Sequence, residues 1–180
     1  MWMMWVFGYG SLMWDDWEQR FGGVRVDQAV LAGHRRSFNK KSVTNWGTLN
    51  APGPTLGLEP DRNADCTGTA FEFPEEQQVA VEGFLKAREG PSFTLTVLLV
   101  VLPGGQEVRA LTPVNDRTKP TYIGNIPLMQ RRDMARRARG TSGACADYVR
   151  NIHEKLTSLS IVDADVNEFA ALVGDIDTAS

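Results

Sequence analysis

The chain has 180 residues, 42% hydrophobic and 23% charged, an ordinary globular composition and long enough to bury a sizeable core. Its net charge of −3 offers no general attraction to phosphate backbones or anionic headgroups, so neither nucleic acid nor a membrane is an expected partner. Cys66 and Cys145 lie far apart with no metal-type spacing, which points to reduced thiols and a cytoplasmic setting rather than a disulfide framework or a metal site.

Residues 4 to 8 read as a first strand. The apolar start has no Lys or Arg ahead of it and is broken early by Gly8, Gly10, Asp15 and Asp16, so it does not read as a signal peptide. Short strands are expected around Val24 to Val26, Ala29 to Leu31 and Arg36 to Phe38. Thr55 to Glu59 and Cys66 to Phe73 read as two more, joined by a polar turn from Pro60 to Asp65. Pro74-Glu75-Glu76 opens a helix that Gly90-Pro91 stops, with Val79, Phe84 and Ala87 expected on one face.

Phe93 to Leu102 is the strongest strand, and it is far short of the roughly 20 residues of a membrane span. The turn Pro103 to Gln106 returns the chain as Glu107 to Val114, the second arm of a hairpin. Helices are expected over 127 to 139, over 147 to 159 with Tyr148, Ile152, Leu156 and Leu159 on one face, and over 163 to 173 before a polar tail. Strands in the first two thirds and helices in the last third predict an α+β fold around a small, curved or barrel-like mixed sheet with flanking helices. No repeat or composition break marks a second domain, so residues 1–180 read as one, with 163–180 as a helical extension.

Several stretches carry candidate chemistry. Gly8-Tyr9-Gly10-Ser11 follows the first strand directly, but a dinucleotide fingerprint would need glycine at Met13, and no lysine for a phosphate loop precedes Lys40. Its glycines still allow successive backbone N–H groups to converge on a carboxylate or an oxyanion, although a plain strand-end turn would look the same. Ser11 lacks the glycine flanks of a nucleophile elbow, and only His34 and His153 are available to serve it.

Asp61 to Glu72 imitates part of a calcium loop but has Cys66 at the position that requires glycine. The arginine-rich helix (Arg131, Arg132, Arg136, Arg137, Arg139) reads as a solvated face. Glu89 is expected in the last turn of its helix, where the dipole's negative end and an apolar wall from Phe84 or Phe93 would raise its pKa, as a general base requires. The plainer alternative is an exposed terminal glutamate partly neutralised by Arg88.

Taken together, Val6-Phe7-Gly8-Tyr9-Gly10-Ser11-Leu12-Met13-Trp14, Gly33-His34-Arg35-Arg36-Ser37-Phe38, Arg88-Glu89, Tyr122-Ile123-Gly124 and Ala138-Arg139-Gly140-Thr141-Ser142-Gly143 with Asp147-Tyr148 resemble the gamma-glutamylcyclotransferase family, in its ChaC-like branch. The resemblance runs in order from about residue 5 to residue 156. Two departures stand out: Gly90-Pro91-Ser92-Phe93 replaces a segment that in the family passes through lysine to tyrosine, and Cys145 stands where the family carries asparagine. Both bear on whatever lies beyond the gamma-glutamyl group.

The resemblance implies a gamma-glutamylcyclotransferase-like fold and an enzyme that converts a small gamma-glutamyl amide to 5-oxoproline and a free amine, without metal or cofactor. The amide would be glutathione, a gamma-glutamyl dipeptide or a gamma-glutamylamine. It implies Glu89 as the general acid and base, and Tyr9, Gly10, Ser11, Leu12, Arg36, Tyr122 and Tyr148 as substrate-binding residues. It leaves room for a homodimer. Two other readings stay open: a non-catalytic small-molecule binding domain of the same fold, and an acyl hydrolase using Ser11 or Cys145.

Overall fold

The computed structural model describes residues 3–174. They fall into two compact units, one of residues 3–35 with 60–116 and the other of residues 36–59 with 117–174.

The first unit is built on a closed five-stranded barrel. Its strands are β1 (Met3–Gly8), β2 (Val24–Ser42), β3 (Gly53–Pro74), β4 (Phe93–Val101) and β5 (Glu107–Asn115), of which β2 and β3 run on into the second unit. Around the barrel the order is β1-β3-β2-β4-β5. β1 is antiparallel to β3 and parallel to β5, with Trp5 opposite Ala110 and Val6 opposite Leu111, so the sheet is mixed. β4 and β5 form the expected hairpin, closed where the Leu102 amide donates to the Gln106 carbonyl. Gly104 and Gly105, at φ 95° and 93°, take the turn conformation that side-chain-bearing residues avoid.

The strands are longer than the sequence predicts. The three short segments from Val24 to Phe38 are one strand of 19 residues. Gln28 (φ 62°) and Gly33 (φ 75°) sit in its apparent gaps, local left-handed kinks that break the alternation without ending the strand. The predicted turn from Pro60 to Asp65 is likewise continuous strand within β3. Its polar residues lie on a solvated stretch, where Asp61 pairs with Arg35 at 3.6 Å, and exposure rather than a reversal explains the composition.

A short 3-10 turn (Glu75–Gln77) leads into α1 (Gln78–Glu89). The inward face of α1 is Val81 and Leu85, one turn apart, packed with Val6, Leu12, Trp17, Phe71 and Phe73. Of the face expected from sequence, Phe84 packs partly against this cluster, while Val79 (85% exposed) and Ala87 point to solvent.

The second unit packs α2 (Leu128–Arg137), α3 (Cys145–Ser158) and α4 (Ala164–Gly174) together with residues 36–42 and 53–59 of the two long strands. A small hairpin, β6 (Arg139–Gly140) and β7 (Gly143–Ala144), joins α2 to α3. The three helices fall close to their expected positions, and the expected polar tail beyond Gly174 lies outside the described residues. Phe38 stacks on Phe169 of α4 at 4.5 Å, and Val149, Ile152, Leu156, Val166 and Val173 are buried in the same unit.

Two arginines of α2 are not the solvated residues that the sequence predicts. Arg131, buried, donates to the carbonyls of Ile126 and Phe38 and to Ser37 Oγ. Arg136 donates to the carbonyls of Leu172 and Val173, capping the C-terminal turn of α4. The surface reading failed because an arginine's long stem lets its head reach backbone acceptors on a neighbouring element.

Candidate active site

In the first unit, β1 ends at Gly8, and the chain turns through Tyr9-Gly10 into a 3-10 turn (Ser11–Met13) followed by a second (Trp17–Phe21). A Cβ on Gly8 would lie 3.0 Å from Leu12 Cβ, and one on Gly68 would lie 2.3 Å from the Gly8 carbonyl. Glycine is thus required where β3 passes under the loop.

The buried Tyr9 anchors the turn, its hydroxyl donating to the Pro113 carbonyl at 2.6 Å. Four successive loop carbonyls are tied down by hydrogen bonds, two within the turn itself and two from side chains. Gly10 O accepts from Met13 N, Ser11 O from Trp14 N, Leu12 O from Trp17 Nε1 (3.0 Å) and Met13 O from Arg25 Nη2 (3.0 Å). The amides of Gly10, Ser11 and Leu12 have no acceptor among the described residues. A loop with its carbonyls tied down and consecutive amides open is chemically a receptor for negative charge.

Glu89 is the last residue of α1 and is partly buried. Gly90 follows at φ 76°, its amide closing the helix on the Lys86 carbonyl. The neighbouring Arg88 reaches the loop: Nη1 pairs with Asp15 Oδ2 at 2.5 Å, and Nη2 donates to Ser11 Oγ at 3.3 Å. Its guanidinium also lies over the Phe84 ring, 5.9 Å from the centroid. The expected neutralising partner of Glu89 is thus engaged with two loop residues, and the Ser11 hydroxyl is paired with an arginine rather than a histidine.

The remaining expected site residues belong to the second unit. Arg36 is fully buried, with Nη1 2.9 Å from Asp163 Oδ2, which makes it an internal strut. Tyr122 donates its hydroxyl to Glu59 Oε1 at 2.6 Å. Burial first, and this bond second, raise its pKa above the usual tyrosine value. Glu59 is buried and also accepts from Asn39 Nδ2 at 2.9 Å. Gly124 is required beside this group, since a Cβ there would lie 2.3 Å from both Glu59 Oε1 and the Tyr122 hydroxyl.

Tyr148 packs on Phe38 and Trp46, and its hydroxyl oxygen accepts from the Leu56 amide at 3.0 Å. Cys145 is fully buried, its Sγ bonded to the Pro54 carbonyl, and burial pushes the thiol up to about 12. A nucleophilic thiol needs a lowered pKa and access, and Cys145 has neither.

Sequence reasoning passed over Asp15 and Glu59. Asp15 registered only as a charge that interrupts the apolar start, and Glu59 only as the end of a strand. Nothing local in the sequence marks either, since both are defined by partners 73 and 63 residues away. Calcium-loop geometry is absent from 61–72, which are strand.

The family model described as "ChaC-like protein" matches residues 4–176, so the similarity extends through α4, beyond the point near residue 156 where the sequence motifs end. Among curated relatives, the chain is 29% identical to Gamma-glutamylcyclotransferase 2-3 of Arabidopsis thaliana, over 96% of this chain and 89% of that protein. It is 27% identical to the Glutathione-specific gamma-glutamylcyclotransferase of Escherichia coli K12, over 94% and 72%. Among solved structures, a glutathione-specific gamma-glutamyl cyclotransferase from yeast shares the fold with a TM-score of 0.83 at 18% identity, covering 95% of both chains. Through the family match over nearly its whole length, the chain belongs to the ChaC-like branch of the gamma-glutamylcyclotransferase family.

Proposed function

We propose that the chain cyclises a gamma-glutamyl amide, releasing 5-oxoproline and a free amine, with Glu89 as general base and then general acid. The observation that carries this reading is the loop of open amides at Gly10–Leu12, tied by Arg88 to the end of α1 where Glu89 sits.

Glu89 takes a proton from the substrate's α-ammonium, an ordinary group with a pKa of about 8. The freed amine attacks the γ-carbonyl carbon, forming the C–N bond of a five-membered ring and placing negative charge on the carbonyl oxygen. The open amides suit that charge, or the substrate's own α-carboxylate. Collapse breaks the original C–N bond as Glu89 returns its proton to the departing nitrogen, and the second proton of the ring nitrogen is then passed on to the released amine, which leaves as its ammonium. Only protons move besides the two C–N bonds, so the chemistry calls for no redox group. Because nucleophile and electrophile belong to one molecule, the protein's main task is to fold the glutamyl chain into an attacking shape.

The substrate class is gamma-glutamyl compounds. Glutathione is the first to test, given the names of the bacterial and yeast relatives. Incubation with glutathione, gamma-glutamyl dipeptides and gamma-glutamylamines, followed by mass-spectrometric detection of 5-oxoproline, decides the reading. Product is expected from at least one of them, and Glu89→Gln is expected to fold normally while losing about 10²- to 10⁴-fold in rate. A gamma-glutamyl ligand that raises Tm yet is never consumed would instead make the chain a binding protein.

A further inference from the structure

Three interactions meet at one side chain beside Glu89. Arg88 pairs with Asp15 on one side, donates to Ser11 on the other, and lies over Phe84. Phe84 stacks on Trp17, with centroids 5.2 Å apart and planes 8° from parallel, and Trp17 Nε1 donates to the Leu12 carbonyl. Helix α1 is thus tied to the loop twice, once through the Arg88 fork and once through an aromatic stack that ends on a loop carbonyl.

We propose that Arg88 is a positioning residue which, through its fork onto Ser11 and Asp15, fixes the open-amide loop relative to Glu89 for ring closure. This rests on the roles given above to Glu89 and the loop. Arg88 and Glu89 are consecutive, so a restraint on the Arg88 side chain acts on the helix end that carries the base. One fork partner, Ser11, opens the Ser11–Met13 turn and the other, Asp15, lies two residues past its end, so the restraint fixes orientation as well as distance. A planar guanidinium offers two divergent donors at once, which an ammonium does not.

Arg88 and Asp15 are 22% and 48% exposed, and ion pairs of that kind contribute little to stability. Their contribution lies in geometry, where a displacement of about 1 Å between reacting groups costs about 10²-fold in rate.

The test measures kcat and KM for 5-oxoproline release by the wild type, Arg88→Met, Arg88→Lys, Asp15→Asn, the Asp15→Asn/Arg88→Met double variant and Glu89→Gln. Lys86→Met serves as a control on the same helix. Arg88→Met is expected to lower kcat about 10- to 100-fold with KM changed by less than about threefold and Tm nearly unchanged. Asp15→Asn should show a smaller loss in the same direction, and the double variant should be no worse than Arg88→Met alone, because the two residues act as one device. Arg88→Lys should stay closer to Arg88→Met than to the wild type.

Wild-type kcat in Arg88→Met, full rescue by lysine, or independent multiplication of the two losses would each overturn the proposal. If Arg88→Met does not fold, Asp15→Asn decides alone, and an unchanged kcat there also overturns it. An inactive wild type, or an active Glu89→Gln, would remove the underlying reading instead. An active wild type with a dead Glu89→Gln and an unimpaired Arg88→Met would remove only the fork.

Discussion

Cys145 occupies the first position of α3, where the helix dipole favours a thiolate, yet its thiol is pushed up to about 12. Burial wins because the thiol is enclosed and its bond to the Pro54 carbonyl stabilises only the protonated form. The free thiol starts from 9.0. The unfolded chain therefore ionises first as pH rises, and the stability tied to this group is complete below about 9 and lost progressively up to about 12. Denaturant melts at stepped pH should show that alkaline loss, and Cys145→Ala should flatten it while lowering stability at neutral pH. In the native protein at pH 8, a thiol reagent should leave Cys145 unmodified until denaturant is added. Prompt native labelling would refute the assignment. Sequence alone gave no route to this result, because Cys145 is inert through the backbone packed around it, including Gly53, where a Cβ would lie 3.0 Å from Sγ.

Elements show a regular pattern of success and failure. Amphipathic α3 and the β4–β5 hairpin were legible, since their periodicity and turn glycines are local signals. The long strands were not, because kinks at Gln28 and Gly33 and a solvated stretch from 60 to 65 imitate turns. The inward face of α1 was misread because Val79 is as apolar as Val81, and only the barrel surface beneath decides which is covered.

Helix α4 gives a sharper case. It follows Asp163, whose Oδ1 accepts from the Val166 amide as an N-cap while Oδ2 holds the buried Arg36. Asp163→Ala removes both the cap and a carboxylate facing a fully buried guanidinium, and should cost about 3 kcal/mol or more in a denaturant melt. A loss near zero would show that the pair has no structural weight.

For the whole molecule, the family match through residue 176 includes α4, although no motif was legible there. Val166, Phe169 and Val173 are buried, Phe38 stacks on Phe169, and Arg136 bonds the end of the helix. Deleting residues 163 to 180 should therefore abolish cooperative unfolding and leave a protease-sensitive chain. A truncated protein with a wild-type Tm would contradict this. No helix of the described residues is long and apolar enough to cross a membrane.

The sequence by itself determined the α+β class, the family and the order of the motifs, because these are written in local periodicity, in glycines and in short strings of residue types. The tertiary structure decided which atoms of those motifs are available. It ties down two loop carbonyls through Trp17 and Arg25, leaves three amides open, engages Arg88 with Asp15 and Ser11, and encloses Arg36 and Cys145. Hydrogen-bond direction and burial depend on partners far along the chain, and a linear reading sees residue types without those partners.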